Sequence, residues 1–248
     1  LEAAQANVAI HEDIASSLES EGICVSGKGD EGAWVSDLDT TTALEIVSTS
    51  CEKIFSELGV EVRVGLDMAA STLWNPSERV YSYQRDKRRL REDDQIDFVL
   101  SLIGKYRLVY VEDPLHEEAF AGFSELTKKA GGVMICGDDL FTTNLERFQK
   151  GLRHGAANAI IVKPNQIGTL TDASETARVA VSEGYTPVIS HRSGDVPEPT
   201  LAHLAIAFSA PIIKTGVVGG ERTAKINELI RIERDLGSKA RLRNIRVK

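Results

Sequence analysis

Six short apolar runs in this sequence end in polar residues able to do chemistry. In chain order they close on Gly65-Leu66-Asp67, Val111-Glu112-Asp113-Pro114, Cys136-Gly137-Asp138-Asp139, Val162-Lys163-Pro164-Asn165-Gln166, Ser190-His191-Arg192-Ser193-Gly194 and Ile213-Lys214-Thr215-Gly216. Carboxylates come first and cations follow. Asp67, Glu112 and Asp138, if brought together, repel one another unless a cation lies among them, and oxygen-only donors select a hard ion such as Mg2+. Asp113 and Asp139 are alternative ligands on the same grounds. Lys163, His191, Arg192 and Lys214 form a cationic half suited to a small, multiply charged anion. Lys163 itself reads two ways. It is a phosphate or carboxylate contact, or it is a general base whose ammonium form is disfavoured by Arg192, Lys214 and a nearby metal. Removal of a proton next to a carboxylate suits such a site, because divalent metals stabilise the dianion that results.

These residues need elements that aim them at one place. From residue 62 onward, β-branched runs recur at Val62 to Leu66, Leu108 to Val111, Val133 to Cys136, Ala159 to Val162, Pro187 to Ile189 and Pro211 to Ile213. After the first, their starts lie roughly 25 residues apart, the length of a strand, a helix and two loops. Amphipathic stretches fill the gaps, at Phe123 to Ala130, Asn144 to His154, Leu170 to Glu183 and Glu221 to Leu236. In the last, Ile226, Leu229, Ile230 and Ile232 form the apolar face and charges fill the other. Apolar strands alternating with helices predict a parallel sheet, and in a parallel barrel all strand ends converge on one rim. One acidic strand end is commonly a helix N-cap; six polar ends in succession are better explained by a site.

Upstream, Leu1 to Ser20 reads as a helix and residues 21–38 as a Gly-rich loop. A second helix begins at Asp39-Thr40 and stops at Gly59. Leu73 to Asp94 reads as the longest irregular segment, its charged Tyr81 to Arg91 run facing solvent. His11, His116, His154 and His203 read as surface or helix residues, and Trp74 and Phe141 as loop packing. No internal repeat or domain boundary is visible.

With 29 Lys and Arg against 37 Asp and Glu, the net charge of −8 argues against general nucleic-acid binding, which needs a basic face. The apolar runs fall far short of the roughly 20 residues that span a bilayer. Cys24, Cys51 and Cys136 are too few and too scattered for a disulfide framework or zinc site, which fits a reducing, cytoplasmic setting. The Leu1 start, without an initiator Met or leader pattern, reads as internal to a longer chain.

The six motifs, with Glu221-Arg222-Thr223-Ala224-Lys225-Ile226-Asn227-Glu228-Leu229, resemble enolase in residues and in order, from about Glu2 to Leu236. The Gly219-Gly220-Glu221-Arg222 stretch is similar to archaeal members. The resemblance implies an α/β fold, an enolase-type TIM-like barrel with six of eight strands present in residues 1–248 and the N-terminal domain absent. It implies Mg2+-dependent reversible dehydration of 2-phospho-D-glycerate to phosphoenolpyruvate, with two Mg2+ per site. By resemblance, Asp67, Glu112 and Asp138 are metal ligands, and Glu112 and Asp138 also border the substrate. Lys163 is the base at C2, and Glu31, in Gly29-Asp30-Glu31-Gly32, is the acid at the C3 hydroxyl. His191, Arg192, Ser193 and Lys214 bind substrate. A homo-oligomer, dimer or octamer, in the cytoplasm is implied, with a cell-surface presence as in some members.

Two departures stand out. Ala33-Trp34-Val35 follow Glu31 where the family has a second Gly, so a Cβ at position 33 is expected to restrict the backbone that places Glu31. Asp195 stands where Glu is commoner. The altered loop and the terminal Lys248 suit a non-catalytic enolase-like binding protein. Another enolase-superfamily lyase acting on a different carboxylate is the remaining alternative, and the His191-Arg192-Ser193 cluster discriminates it through the substrate's phosphate.

Overall fold

The computed structural model describes residues 1–243 and 245, and Lys248 lies outside them. In chain order the elements are α1 (Glu2–Ser20), β1 (Val25–Lys28), β2 (Trp34–Ser36), α2 (Thr40–Leu58), β3 (Gly65–Asp67), β4 (Trp74–Asn75), β5 (Val80–Tyr83), β6 (Arg88–Leu90) and α3 (Glu92–Tyr106). There follow β7 (Tyr110–Glu112), α4 (Phe120–Lys129), β8 (Met134–Gly137), α5 (Leu145–His154), β9 (Ala159–Val162), α6 (Pro164–Ile167), α7 (Leu170–Ser182), β10 (Thr186–Ser190), α8 (Thr200–Ala207), β11 (Ile212–Lys214) and α9 (Gly220–Leu236). The chain is α/β, and its main sheet has six strands in the order β11-β10-β9-β8-β7-β3. Strand order follows chain order without reversal, as in a singly wound barrel rather than a doubly wound sheet.

Two compact units divide the chain. One comprises Val64–Ile189 with Phe208–Ile212. In it, β3, β7, β8, β9 and β10 pair in parallel, with Asp67 opposite Glu112, Glu112 opposite Cys136, and Thr186–Ile189 beside Ala159–Val162. One face of these strands carries a buried cluster of Met134, Cys136, Ala159, Ile161 and Val188, flanked by Tyr110 and Ile212. Side chains alternate along a strand, so each rim residue continues this buried stripe two positions on: Glu112 after Tyr110, Asp138 after Cys136, Lys163 after Ile161. On the opposite side, Phe141 and Phe148 meet edge to face, and a Cβ at Gly137 or Gly151 would collide with Phe141. Phe141, on the turn after β8, is therefore packed into the core.

The other unit comprises Leu1–Arg63, Ser190–Ala207 and the segment starting at Ile213. Its α1 and α2 pack on each other. Asp39 caps α2 by accepting from the Thr41 and Thr42 N–H groups at 2.9 and 3.0 Å, and Gly59 ends the helix at φ 68°.

Two segments depart from the sequence expectation. Residues 21–38 contain the antiparallel hairpin β1-β2. Leu73 to Asp94 is not irregular: β4, β5 and β6 form a small antiparallel sheet. Tyr81 and Tyr83 are buried on one side of β5, and Tyr83 Oη donates to Gln95 at 2.9 Å. The charged part of the run, with Arg85, Lys87, Arg88, Arg89 and Arg91 exposed, is the solvent face that charge suggested. The first main strand is also displaced, to Gly65–Asp67 from Val62 to Leu66, with the Val64 carbonyl just before it accepting from the Val109 N–H at 3.1 Å.

Candidate active site

The expected residues fall into two groups, one in each unit. In the first, Asp67 and Glu112 are register partners at the ends of β3 and β7, and Lys163 forms an ion pair with Asp138 Oδ2. The three carboxylates whose oxygens come within 4.8 Å of one another, among the described residues, are Asp113, Asp138 and Asp139. Asp113 is spoken for: its Oδ1 and Oδ2 accept from the Asp138 and Asp139 backbone N–H groups at 2.9 and 2.8 Å. It braces the turn that presents Asp138. Burial pushes its carboxyl well above the ordinary range, against the pull of those two amides. Its own backbone sits at φ 41°, a left-handed conformation costly for a residue with a Cβ.

Asp138 Oδ1 is buried and has no hydrogen-bond partner among the described residues. A buried anionic oxygen without a partner is expensive unless a cation occupies the space beside it. The donor set is all oxygen, and Asp139 is raised by burial and by Asp138, the repulsion a bound cation relieves. These residues fit a hard divalent ion.

Glu112 is fully buried and accepts from Tyr110 Oη at 2.5 Å. Burial holds the Tyr110 phenol far above its ordinary range, so it remains a donor and fixes which way the Glu112 carboxylate faces. Tyr110→Phe is expected to weaken divalent-metal binding by about tenfold to hundredfold, as loss of a ligand's supporting hydrogen bond does. Titration calorimetry checks it, and unchanged affinity would remove Tyr110 from the site.

Lys163 is placed by a chain of contacts. Its backbone N–H donates to Thr143 Oγ1 at 2.9 Å, and Thr176 Oγ1 donates to the Thr143 carbonyl at 3.0 Å. Thr142 and Thr143 both have positive φ, at 51° and 57°. Two successive non-glycine residues in that region are strained, and the second of them, Thr143, holds the Lys163 backbone.

In the second group, Glu31 Oε2 lies 3.0 Å from His191 Nε2, and Ser193 Oγ donates to Glu31 Oε1 at 3.2 Å. The His191 bond is the main cause that lowers the Glu31 pKa to about 2, outweighing partial burial, with the charge of Lys214 helping. Glu31 is thus a carboxylate at neutral pH. Arg192 is half-buried between His191 and Ser193.

The expected restriction at Ala33 is absent. The left-handed turn falls on Gly32, at φ 86°, and Ala33 is not among the positive-φ residues. Trp34, the other departure, holds the loop in place. Its Nε1–H donates to the His11 carbonyl at 2.9 Å, its ring stacks on His11 at 4.8 Å, and His11 Nε2–H donates to the Gly32 carbonyl at 2.9 Å. His11 is therefore a support of the Glu31 loop rather than an idle surface residue. Gly216 allows the loop's closest approach, since a Cβ there would collide with the Glu31 carbonyl.

Among the other histidines, His116 stacks on Trp74 at 4.3 Å, and His203 pairs with Glu228 at 2.6 Å. The three cysteines are free. No described helix is long and apolar enough to cross a membrane.

Sequence reasoning missed Arg222 and Lys225. They are the buried residues of α9, although the charges of that helix read as its solvent face. Each is buried because its terminal nitrogens find acceptors, although Arg222 Nε has no hydrogen-bond partner among the described residues. Lys225 Nζ donates to the Val196 carbonyl at 2.8 Å and pairs with Asp195 at 3.2 Å. Arg222 donates to four acceptors in the loops that carry Glu31 and His191. The available signal was spacing: Arg222 and Lys225 extend the Ile226 and Leu229 stripe toward the helix N-terminus.

A parallel, singly wound α/β sheet with carboxylates and a lysine at its strand ends is the arrangement of a barrel-type domain. The model of the "Enolase, C-terminal TIM barrel domain" matches residues 1–248. The chain belongs to the enolase family. It is 52% identical over 237 residues to "Enolase" of Methanothermobacter thermautotrophicus, covering 95% of this chain and 57% of that protein. It is 49% identical over 232 residues to "Enolase" of Archaeoglobus fulgidus, covering 94% and 57%. It is 48% identical over 242 residues to "Enolase" of Pyrobaculum aerophilum, covering 97% and 57%. The chain thus spans a little over half the length of these relatives.

Proposed function

We propose that the protein carrying this chain is a phosphopyruvate hydratase, interconverting 2-phospho-D-glycerate and phosphoenolpyruvate with Mg2+. The observation that carries this reading is the buried, partnerless Asp138 Oδ1 beside the Lys163 ammonium, in a chain of this family. Asp67, Glu112 and Asp138 would hold the metal, while Asp113 stays a brace because both its oxygens accept amides. Bound there, the ion would offset the negative charge that builds on the substrate carboxylate when C2 loses its proton.

Lys163 Nζ takes that proton. This requires the amine form, so the ion pair with Asp138 must open first. Glu31 works at C3. As a carboxylate it accepts a proton from water in the hydration direction, and by microscopic reversibility the same carboxyl gives one to the departing hydroxyl in dehydration. Ser193 and His191 orient it, and Arg192 with Lys214 binds the substrate's anionic groups. The protein is proposed to act as a cytoplasmic homo-oligomer.

The test is to supply full-length protein with 2-phosphoglycerate and Mg2+ and follow the absorbance of the enol product. Metal-dependent turnover is expected, with none on glycerate lacking the phosphate. No turnover above a Lys163→Ala control would overturn the reading. Turnover of the unphosphorylated acid would point instead to a different carboxylate lyase.

A further inference from the structure

Arg222 is a buried guanidinium with a specific set of partners. Its Nη1 donates to His191 Nδ1 at 2.7 Å and to the Arg192 carbonyl at 2.7 Å; its Nη2 donates to the carbonyls of Ser193 at 2.7 Å and Asp30 at 3.0 Å. These acceptors immediately precede Glu31 or belong to the His191-Arg192-Ser193 segment. One side chain therefore ties together the two loops that place Glu31 and His191. The two nearby carboxylates are at salt-bridge range only, Glu221 at 3.6 Å and Asp195 at 3.8 Å, so the hydrogen-bonding capacity of both terminal nitrogens goes to the loops.

A guanidinium has donors and no acceptor, whereas a neutral imidazole has one donor and one acceptor nitrogen. At the His191 contact the proton on the bond belongs to Arg222, so Nδ1 must present its lone pair. The ring proton is then on Nε2, the atom 3.0 Å from Glu31 Oε2. The opposite tautomer would set an N–H against the guanidinium N–H and leave Nε2 with a lone pair facing a carboxylate. We infer that Arg222 is a positioning residue that fixes His191 as its Nε2–H tautomer and so directs that proton at Glu31. Glu31 thereby keeps one orientation and one hydrogen-bonded proton ready on its carboxylate side. The tautomer follows from geometry alone; its consequence for turnover rests on the proposed hydratase reading.

The test is nitrogen-15 NMR of the full-length protein with labelled histidine, at about pH 8, above the ordinary imidazole pKa of about 6.5. A His191→Asn spectrum identifies the His191 signals. Expected is a protonated Nε2 and an unprotonated Nδ1. Arg222→Lys, whose long side chain ends in a donor with no acceptor, should retain that pattern, and Arg222→Met should give a mixture of tautomers. With 2-phosphoglycerate, Arg222→Met should lower kcat by about tenfold to hundredfold with KM little changed, the range typical of lost supporting contacts. A protonated Nδ1 in the unmodified protein would overturn the inference even if neither variant folds. So would a folded Arg222→Met protein with an unaltered Nε2–H tautomer. The ring spectrum is taken without substrate, so it can fail while turnover succeeds, and turnover can fail while the tautomer stands.

Discussion

Lys163→Ala in the full-length protein is expected to lower kcat for 2-phosphoglycerate by about 100- to 10,000-fold, the range a positioned general base contributes. Fold and metal binding should survive. Lys163 holds its place through its backbone N–H on Thr143, which the substitution leaves intact, and its side chain is the counter-ion of Asp138 rather than a packing element. Removing an ammonium from beside Asp138 leaves the carboxylate set more negative, so divalent-ion affinity should hold or rise. Steady-state kinetics with calorimetric metal binding separates these effects. A parallel loss of metal binding would mean that Lys163 acts through the structure of the rim and not on the substrate.

The second large effect is expected from Asp138→Asn. The substitution keeps the shape of the side chain and removes the charge of the oxygen that has no partner. Mg2+ affinity should fall by about 100-fold or more, since even outlying contacts to a ligand are worth about 10- to 100-fold. The expected stability change has an informative sign. Without metal, repulsion among Asp113, Asp138 and Asp139 is relieved, so the variant should melt no lower than its parent, apart from the cost of leaving Lys163 unpaired. With metal at 100 times its dissociation constant, the parent gains about 2.7 kcal/mol from binding and the variant gains almost nothing. Thermal melts with Mg2+ or with a chelator read both arms. Equal Mg2+-induced stabilisation of the two proteins would exclude Asp138 as a ligand.

The sequence revealed the rim because of a physical regularity. A strand buried on its inner face is apolar until it reaches the edge of the core, so the first charged residue after the run marks that edge. Thus Ile161 precedes Lys163 and Cys136 precedes Asp138 by one strand period. The ends of α2 were equally legible, since Asp39 and Gly59 each supply what a helix terminus lacks. The β4-β5-β6 sheet was hidden because its strands are two to four residues long and its outer side is a run of arginines. The alternation of Tyr81 and Tyr83 was its one trace.

Arg222 was hidden for a different reason. A cation on an amphipathic helix ordinarily faces water, and three of its four acceptors are backbone carbonyls at positions 30, 192 and 193, which residue type does not mark. The Glu31 loop shows the same effect in reverse. Ala33-Trp34-Val35 reads as a loss of backbone freedom, yet Gly32 makes the turn and Trp34 with His11 secures it. Both cases depend on contacts between segments far apart in the chain, where local patterning carries no information.

The division of labour between Lys163 and Glu31 is tested most directly by exchange of the C2 hydrogen of 2-phosphoglycerate with deuterated water, followed by proton NMR in the full-length protein with Mg2+. On the proposed reading, proton removal at C2 depends on Lys163 and departure of the C3 hydroxyl on Glu31. Glu31→Gln should therefore still exchange the C2 hydrogen while forming little phosphoenolpyruvate, and Lys163→Ala should do neither. Exchange that persists in Lys163→Ala, or that disappears equally in Glu31→Gln, would contradict the assignment of Lys163 as the base.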